Sequence, residues 1–380
     1  MRVALFCHSL LSDWNHGTAH FLRGVVTELL ARRHDVRVYE PRDAWSVENL
    51  VKDHGEKSID LARHVYPRIR PKRYDLNAID LDEALDDVDL VLVHEWNAPE
   101  LVKRIGERRQ RSGSRFKLLF HDTHHRSVTN EAEMSKYDLS NFDGVLAFGA
   151  AVRDVYQRRS WAKRTWVWHE AADPRVFFPV PPPPRGKEGD VVWIGNWGEG
   201  DRPNELREFF LDPVKDLSLS ARAYGVRYPK EALDELASRN VSYGNWIPNF
   251  RVPEAFARFR ATVHIPHREQ ARALPGVPSI RVYEALACAI PLVSAPWEDS
   301  ENLFSAGRDY LVAQNGAEMK KHLELLMKDA HARSEIARRG RSTILARHTC
   351  AHRVDELIAI AGDLGVRVRR PVLAHEGAVP

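Results

Sequence analysis

Residues 181–184 are four consecutive prolines, and they separate two stretches that share one pattern. Each proline ring fixes φ and removes an amide hydrogen, so this run suits neither a helix nor a central strand and favours an extended segment. Before it, continuous apolar runs at 3–7, 36–39, 89–93, 116–120 and 144–148 read as buried strands. Helical spacing lies between them at 16–33, 98–109 and 150–158; in the first, Phe21, Leu22, Val25, Val26, Leu29 and Leu30 recur on one face. After the prolines the alternation restarts. Strands are expected at 191–194, 217–223, 241–243 and 261–265, and helices at 206–210, 229–238 and over most of 316–364. Strands apolar on both faces belong in a parallel sheet covered by helices. The expected fold is therefore α/β, with two Rossmann-like, doubly wound domains facing an interdomain cleft. The pattern divides the chain into a domain over 1–172, a proline-rich linker over 173–190, a second domain over 191–348, a helix over 349–365, and a tail over 366–380 that frays.

A chain of 380 residues has room for two such cores. Its 56 basic and 53 acidic side chains nearly balance, which argues against a dedicated nucleic-acid binder. No apolar run approaches the roughly 20 residues a membrane span needs, and the apolar run at 3–7 is too short for a signal peptide. Cys7, Cys288 and Cys350 are odd in number and far apart, and two of them sit in apolar runs. They read as thiols in a reducing compartment, so a cytoplasmic location is expected.

The segment 276–294 points most directly to a ligand. Turn residues lead to Ser279 at a helix start, with Arg281 and Glu284 on its first turns, and then through Pro291 to a short apolar strand. Helix-start amides and a cation suit a diphosphate, and a carboxylate suits sugar hydroxyls. Three further loops follow strand ends. Asn15, His16 and Gly17 follow the first strand, without the GxGxxG of a nicotinamide site. The plain reading there is an Asn15 N-cap beside a surface pair of histidines, His16 and His20. His121, Asp122, His124 and His125 follow another strand; they lack the spacing of a metal site, so a proton-handling or hydroxyl-orienting edge is expected. Asn196 and Arg202, among three glycines, could meet a phosphate, and Trp246 could meet a base. Trp161, Trp166 and Trp168 read as packing residues.

With these loops placed, the chain resembles retaining glycosyltransferases of the GT-B fold, in particular the CgeB-like spore-maturation group, over most of residues 1–362. The likeness is carried by 12–17, 121–126 and 276–294. It implies that the second domain binds a nucleotide diphosphate sugar such as a UDP-sugar and that the first holds the acceptor. On that likeness Glu284 meets the ribose, and Ser279 and Ile280 offer amides to the diphosphate, with Arg281, Tyr283, Asn196, Arg202 and Trp246 nearby. Gly17 faces the diphosphate from the other domain. His121, Asp122 and Arg281 serve catalysis, and Asn15, His16, His124 and His125 border the acceptor. The final helix is expected to cross back to the first domain.

One departure is plain: many relatives carry a second glutamate eight positions before the ribose-binding one, and here that position is Gly276. The expected reaction is transfer of a sugar to a sugar, polysaccharide, protein or small-molecule acceptor. It retains anomeric configuration and uses no metal or cofactor beyond the nucleotide sugar. The departure at Gly276 also suits a non-catalytic nucleotide-sugar binding module, and a nucleotide-sugar epimerase would share the same fold. Nucleic acid is not the expected partner, although basic runs at 68–73 and 103–111 could track phosphates in a DNA-modifying glycosyltransferase.

Overall fold

A computed structural model describes residues 1–111, 115–184, 186–200 and 202–367. The expected tail beyond 367 lies outside the described residues. The first half forms a seven-stranded parallel sheet from β1 (Arg2–Phe6), β2 (Asp35–Pro41), β3 (Lys72–Tyr74), β4 (Leu90–His94), β5 (Lys117–Asp122), β6 (Gly144–Ala147) and β7 (Thr165–Val167). Their spatial order is β3-β2-β1-β4-β5-β6-β7. The second half forms a six-stranded parallel sheet from β8 (Gly189–Ile194), β9 (Ala221–Tyr224), β10 (Val241–Tyr243), β11 (Phe259–His264), β12 (Leu292–Ser294) and β13 (Leu311–Val312). Its order is β10-β9-β8-β11-β12-β13.

Both sheets are doubly wound, as the alternation of apolar runs and helices predicts. The central strands are apolar on both faces: Val3, Ala4, Leu5 and Phe6 of β1 are all buried, and so are Leu90 through Val93 of β4. They are held in register by pairs such as Val3 with both Val36 and Leu90. Short elements escaped the sequence pattern. β3, β7 and β13 have only two or three residues each and carry too little periodicity to be seen. The stretch expected as a strand from 217 begins instead at Ala221, because Leu217 and Ser218 close the preceding helix.

Each sheet reverses its strand order once, between β1 and β4 in the first and between β8 and β11 in the second. At such a point neighbouring loops leave in opposite directions and open a crevice beyond the strand ends. The two crevices face each other across one cavity.

The chain passes between the halves twice. The outward passage follows Ala172, and the return precedes the helix Cys350–Asp363. The two passages are hydrogen-bonded together, Ala172 N donating to His348 O at 3.1 Å and Cys350 N to Ala172 O at 2.9 Å. The returning helix packs on Thr18–Ala31, and Trp168 Nε1 donates to Arg353 O at 2.8 Å. Gly24 makes that approach possible. A methyl group there would overlap Cys350 Sγ and lie 3.0 Å from Asp173 Cβ.

Candidate active site

The two crevices enclose a cavity of about 440 Å³. Two helix starts meet on it. Gly17 precedes Thr18–Ala31 from the first half, and Ser279 precedes Ile280–Ala287 from the second. Among the described residues no side chain caps either set of leading amides. The first turn of a helix has no internal partner for its N–H groups and carries partial positive charge. Ser279 would be the ordinary cap, but its hydroxyl is taken up by His264 Nε2 at 2.9 Å, while His264 Nδ1 lies 2.9 Å from Ser294 Oγ. Burial lowers His264 to about 3, so this ring is neutral and positions Ser279. Gly17 is needed for closeness: a Cβ there would stand 3.1 Å from Ile280 Cγ2.

Two cations line the same space. Arg202 lies over the Trp193 ring at 5.6 Å and donates from Nη1 to Glu205 at 3.1 Å, leaving its buried Nε without a partner among the described residues. Arg281 lines the cavity and pairs with Glu284. Asn196 lines the cavity too, with Oδ1 accepting from Val226 N at 3.1 Å and Nδ2 bonded to Asn15 of the other half. Gly17, Ser279, Ile280, Asn15, His16, His124 and His125 also line it.

Other expected residues stand elsewhere. Glu284 is fully buried behind the wall, held by His20 Nδ1 at 3.0 Å, Asn249 Nδ2 at 2.8 Å and Arg281. It therefore ties the second half to the first. Tyr283, one residue earlier on the helix, is buried away from the cavity and packs on Phe304 and His348. Trp246 borders a separate surface depression, its indole 4.7 Å from the His54 ring, because its turn runs outward past β10.

His121 and Asp122 still belong to β5 and lie beneath the floor. The His121 ring is wedged between His94 at 5.2 Å and Trp168 at 4.8 Å, and burial lowers it to about 3. Asp122 accepts from His124 N and Tyr156 Oη, both at 3.0 Å, and so shapes the loop that carries His124. The Asn15 cap is also corrected: Gly17 is the N-cap, Asn15 adopts a left-handed φ of 49°, and His16 and His20 are buried rather than at the surface.

Four residues that line the cavity or support it were missed. Glu170, just after β7, lines the cavity; burial raises it to about 8, against a hydrogen bond from Thr18. Glu95 is buried beneath, paired with Arg126 and raised by burial and by Asp122. Trp45 and Trp96 line the half of the cavity opposite Arg281. A signal was available for 45 and 95–96, which follow the C-terminal ends of β2 and β4, where ligands gather in such sheets; 170 follows β7, which is too short to be seen in the sequence. Among the described residues, no three metal-binding side chains converge.

Comparison with known proteins agrees with this fold. Residues 202–359 match the model of a family described as glycosyl transferase-like. The whole fold is similar to that of HepE of Anabaena, solved in complex with UDP and glucose (TM-score 0.66, 14% identity, 95% of this chain and 99% of that one). It is also similar to an α-glucosyltransferase in complex with UDP and a 13-mer DNA (TM-score 0.69, 10% identity, 95% and 99%). Sucrose-phosphate synthase from Thermosynechococcus elongatus is a third (TM-score 0.65, 14% identity, 96% and 99%). No curated protein sequence matches the chain. The fold is thus that of GT-B glycosyltransferase structures, and residues 202–359 carry the likeness to the glycosyl transferase-like family.

Proposed function

We propose that the protein transfers a sugar from a UDP-sugar to an acceptor hydroxyl, with retention at the anomeric carbon and without a metal. The observation that carries this is the meeting of two uncapped helix starts with Arg202 and Arg281 on one cavity. Solved neighbours in complex with UDP support the choice of nucleotide. In the reaction the bond from the anomeric carbon to the diphosphate oxygen breaks as the acceptor oxygen bonds to that carbon. The acceptor's proton leaves with the diphosphate. Negative charge grows on the departing oxygen, and oriented amides and guanidinium groups in a partly dry cleft stabilise it without reorganising.

Retention rests on the sequence likeness; the one carboxyl group in the lining among the described residues is Glu170, beside Thr18. No helix of the described residues is long and apolar enough to cross a membrane, and the three cysteines are free and buried. Both features fit work in the cytoplasm.

The test is a thermal-shift screen of nucleotides followed by turnover. UDP and a UDP-sugar should raise the melting point. Arg281→Ala should slow donor hydrolysis or transfer more than it weakens UDP binding, since the charge it meets is largest in the transition state. A chain that binds no nucleoside diphosphate, or an Arg281→Ala variant with unchanged turnover, would refute the reading.

A further inference from the structure

The cavity has two unlike halves. Its cations, Arg202 and Arg281, and the Ser279 helix start lie on the second-half wall. Facing them on the first half stand Trp45, Trp96, His16 and His124. Group transfer needs a second subsite beside the donor, and this is the unassigned space.

Trp45 is pinned by a stacked His8 ring at 4.6 Å and by Trp14 at 6.3 Å. Trp96 stands 6.1 Å from Trp45, with the Arg126 guanidinium over it at 4.3 Å. Both indoles are half-buried, so each keeps a fixed, partly open surface. Two imidazoles lie beside them on the same wall, His16 and His124. His16 is 5% exposed and lines the cavity, yet its Nε2 has no partner among the described residues. The same is true of His124 Nδ1. A buried polar atom with no partner costs free energy unless something meets it. Burial lowers His16 well below the usual histidine range and His124 to about 3, so both rings are neutral at physiological pH. Arg126, whose guanidinium lies over Trp96, is paired with Glu95. The subsite thus offers apolar ring faces and neutral hydrogen-bonding nitrogens, with no cation to spare for a phosphate.

Resting on the proposed transfer reaction, we propose that Trp45 and Trp96 wall an acceptor subsite for an uncharged saccharide, whose hydroxyls meet His16 and His124. A sugar ring has an apolar C–H face to lie on an indole and hydroxyls at its rim for the imidazoles. Nucleic acid could also stack here, but it would need basic side chains tracking its backbone.

The test uses full-length protein saturated with UDP. Binding is measured to neutral trisaccharides (maltotriose, cellotriose, laminaritriose, mannotriose and chitotriose), to trigalacturonate, and to a short DNA duplex. At least one neutral trisaccharide should bind, with trigalacturonate and DNA weaker. Trp96→Ala and Trp45→Ala should each lose about tenfold in that affinity, the order of one aromatic contact, and Trp96→Phe should keep most of it. The melting shift caused by UDP should be the same in all variants, which shows that they fold and hold the donor half. If UDP shifts the melting point but no neutral trisaccharide binds, the subsite assignment falls while the donor reading stands. Tighter binding of DNA or trigalacturonate, or tryptophan variants that bind as well as wild type, would overturn it equally. A missing UDP shift would remove the donor reading and this assignment with it.

Discussion

Glu284 gives the sharpest prediction, because its surroundings assign it a stabilising role that its sequence position alone does not reveal. Its carboxylate is fully buried and takes hydrogen bonds from His20, Asn249 and Arg281. Glu284→Ala leaves these donors facing a void. Removing one partner of a buried, hydrogen-bonded charge costs about 3–5 kcal/mol. Unfolding entropy near 2.1 cal/mol/K per residue gives about 0.8 kcal/mol/K for a chain of this length, so the melting point should fall by about 4–6 °C. The loss should appear without any nucleotide. Part of it belongs to the bond with His20, which joins the two halves. A double-mutant cycle of His20→Ala with Glu284→Ala, read by urea unfolding, should therefore give a coupling of about 1 kcal/mol or more. Glu284→Gln keeps an acceptor and should lie between. A Glu284→Ala melting point within a degree of wild type, with weakened UDP binding, would refute the reasoning and return Glu284 to a purely ligand-facing role.

Other perturbations follow from the same contacts. Gly24→Val should destabilise by about 1–3 kcal/mol or more through overpacking against Cys350 and Asp173, measured by denaturant unfolding. Gly17→Val should spare the melting point but weaken UDP binding in calorimetry, since its side chain would press on Ile280 between the two helix starts. Acid should unfold the chain through its buried neutral histidines. His121, His124, His264 and His348 are each lowered by burial from 6.5 to about 3, so their contribution is full above pH 6.5 and is lost as pH falls toward 3. Glu170 runs the other way, raised from 4.5 to about 8, and gains stability as pH falls until about 4.5. The net loss should be steepest below about pH 4.5, and a melting point flat from pH 7 to 4 would contradict it.

The parallel sheets were legible because β1, β4, β5, β8 and β11 are apolar on both faces and several residues long. Their loops carried Gly17, Asn196, Ser279 and Arg281 to the cavity, which the rule about strand ends anticipates. The misplacements have one physical source. A helix or strand fixes which way a side chain points, and a motif read as a string does not. Glu284 and Tyr283 are neighbours on a helix whose cavity end is its N-terminus, so residues past the first turn face packing partners instead. Asp122 and His121 end a strand and point into the layers beneath the floor. Trp45 and Glu170 follow β2 and β7, whose loops carry no motif, and only the assembled sheet brings them to the cleft.

The paired crossings at Ala172 and His348–Cys350 also bear on how a substrate could enter. Because the two passages are bonded to each other, they behave as one pivot and not as two independent tethers. Opening the cleft must swing the halves about that pivot, like a book about its spine. His20 sits at the spine, its Nε2 accepting from Asp173 N at 3.1 Å, so the bond from His20 to Glu284 lies where displacement is least. The bonds of Asn15 to Asn196 and Asp53 to Arg227 also join the two halves, away from that crossing, and they are the page edges. Parting the halves about such a pivot would break a few polar contacts between side chains and leave the buried spine intact.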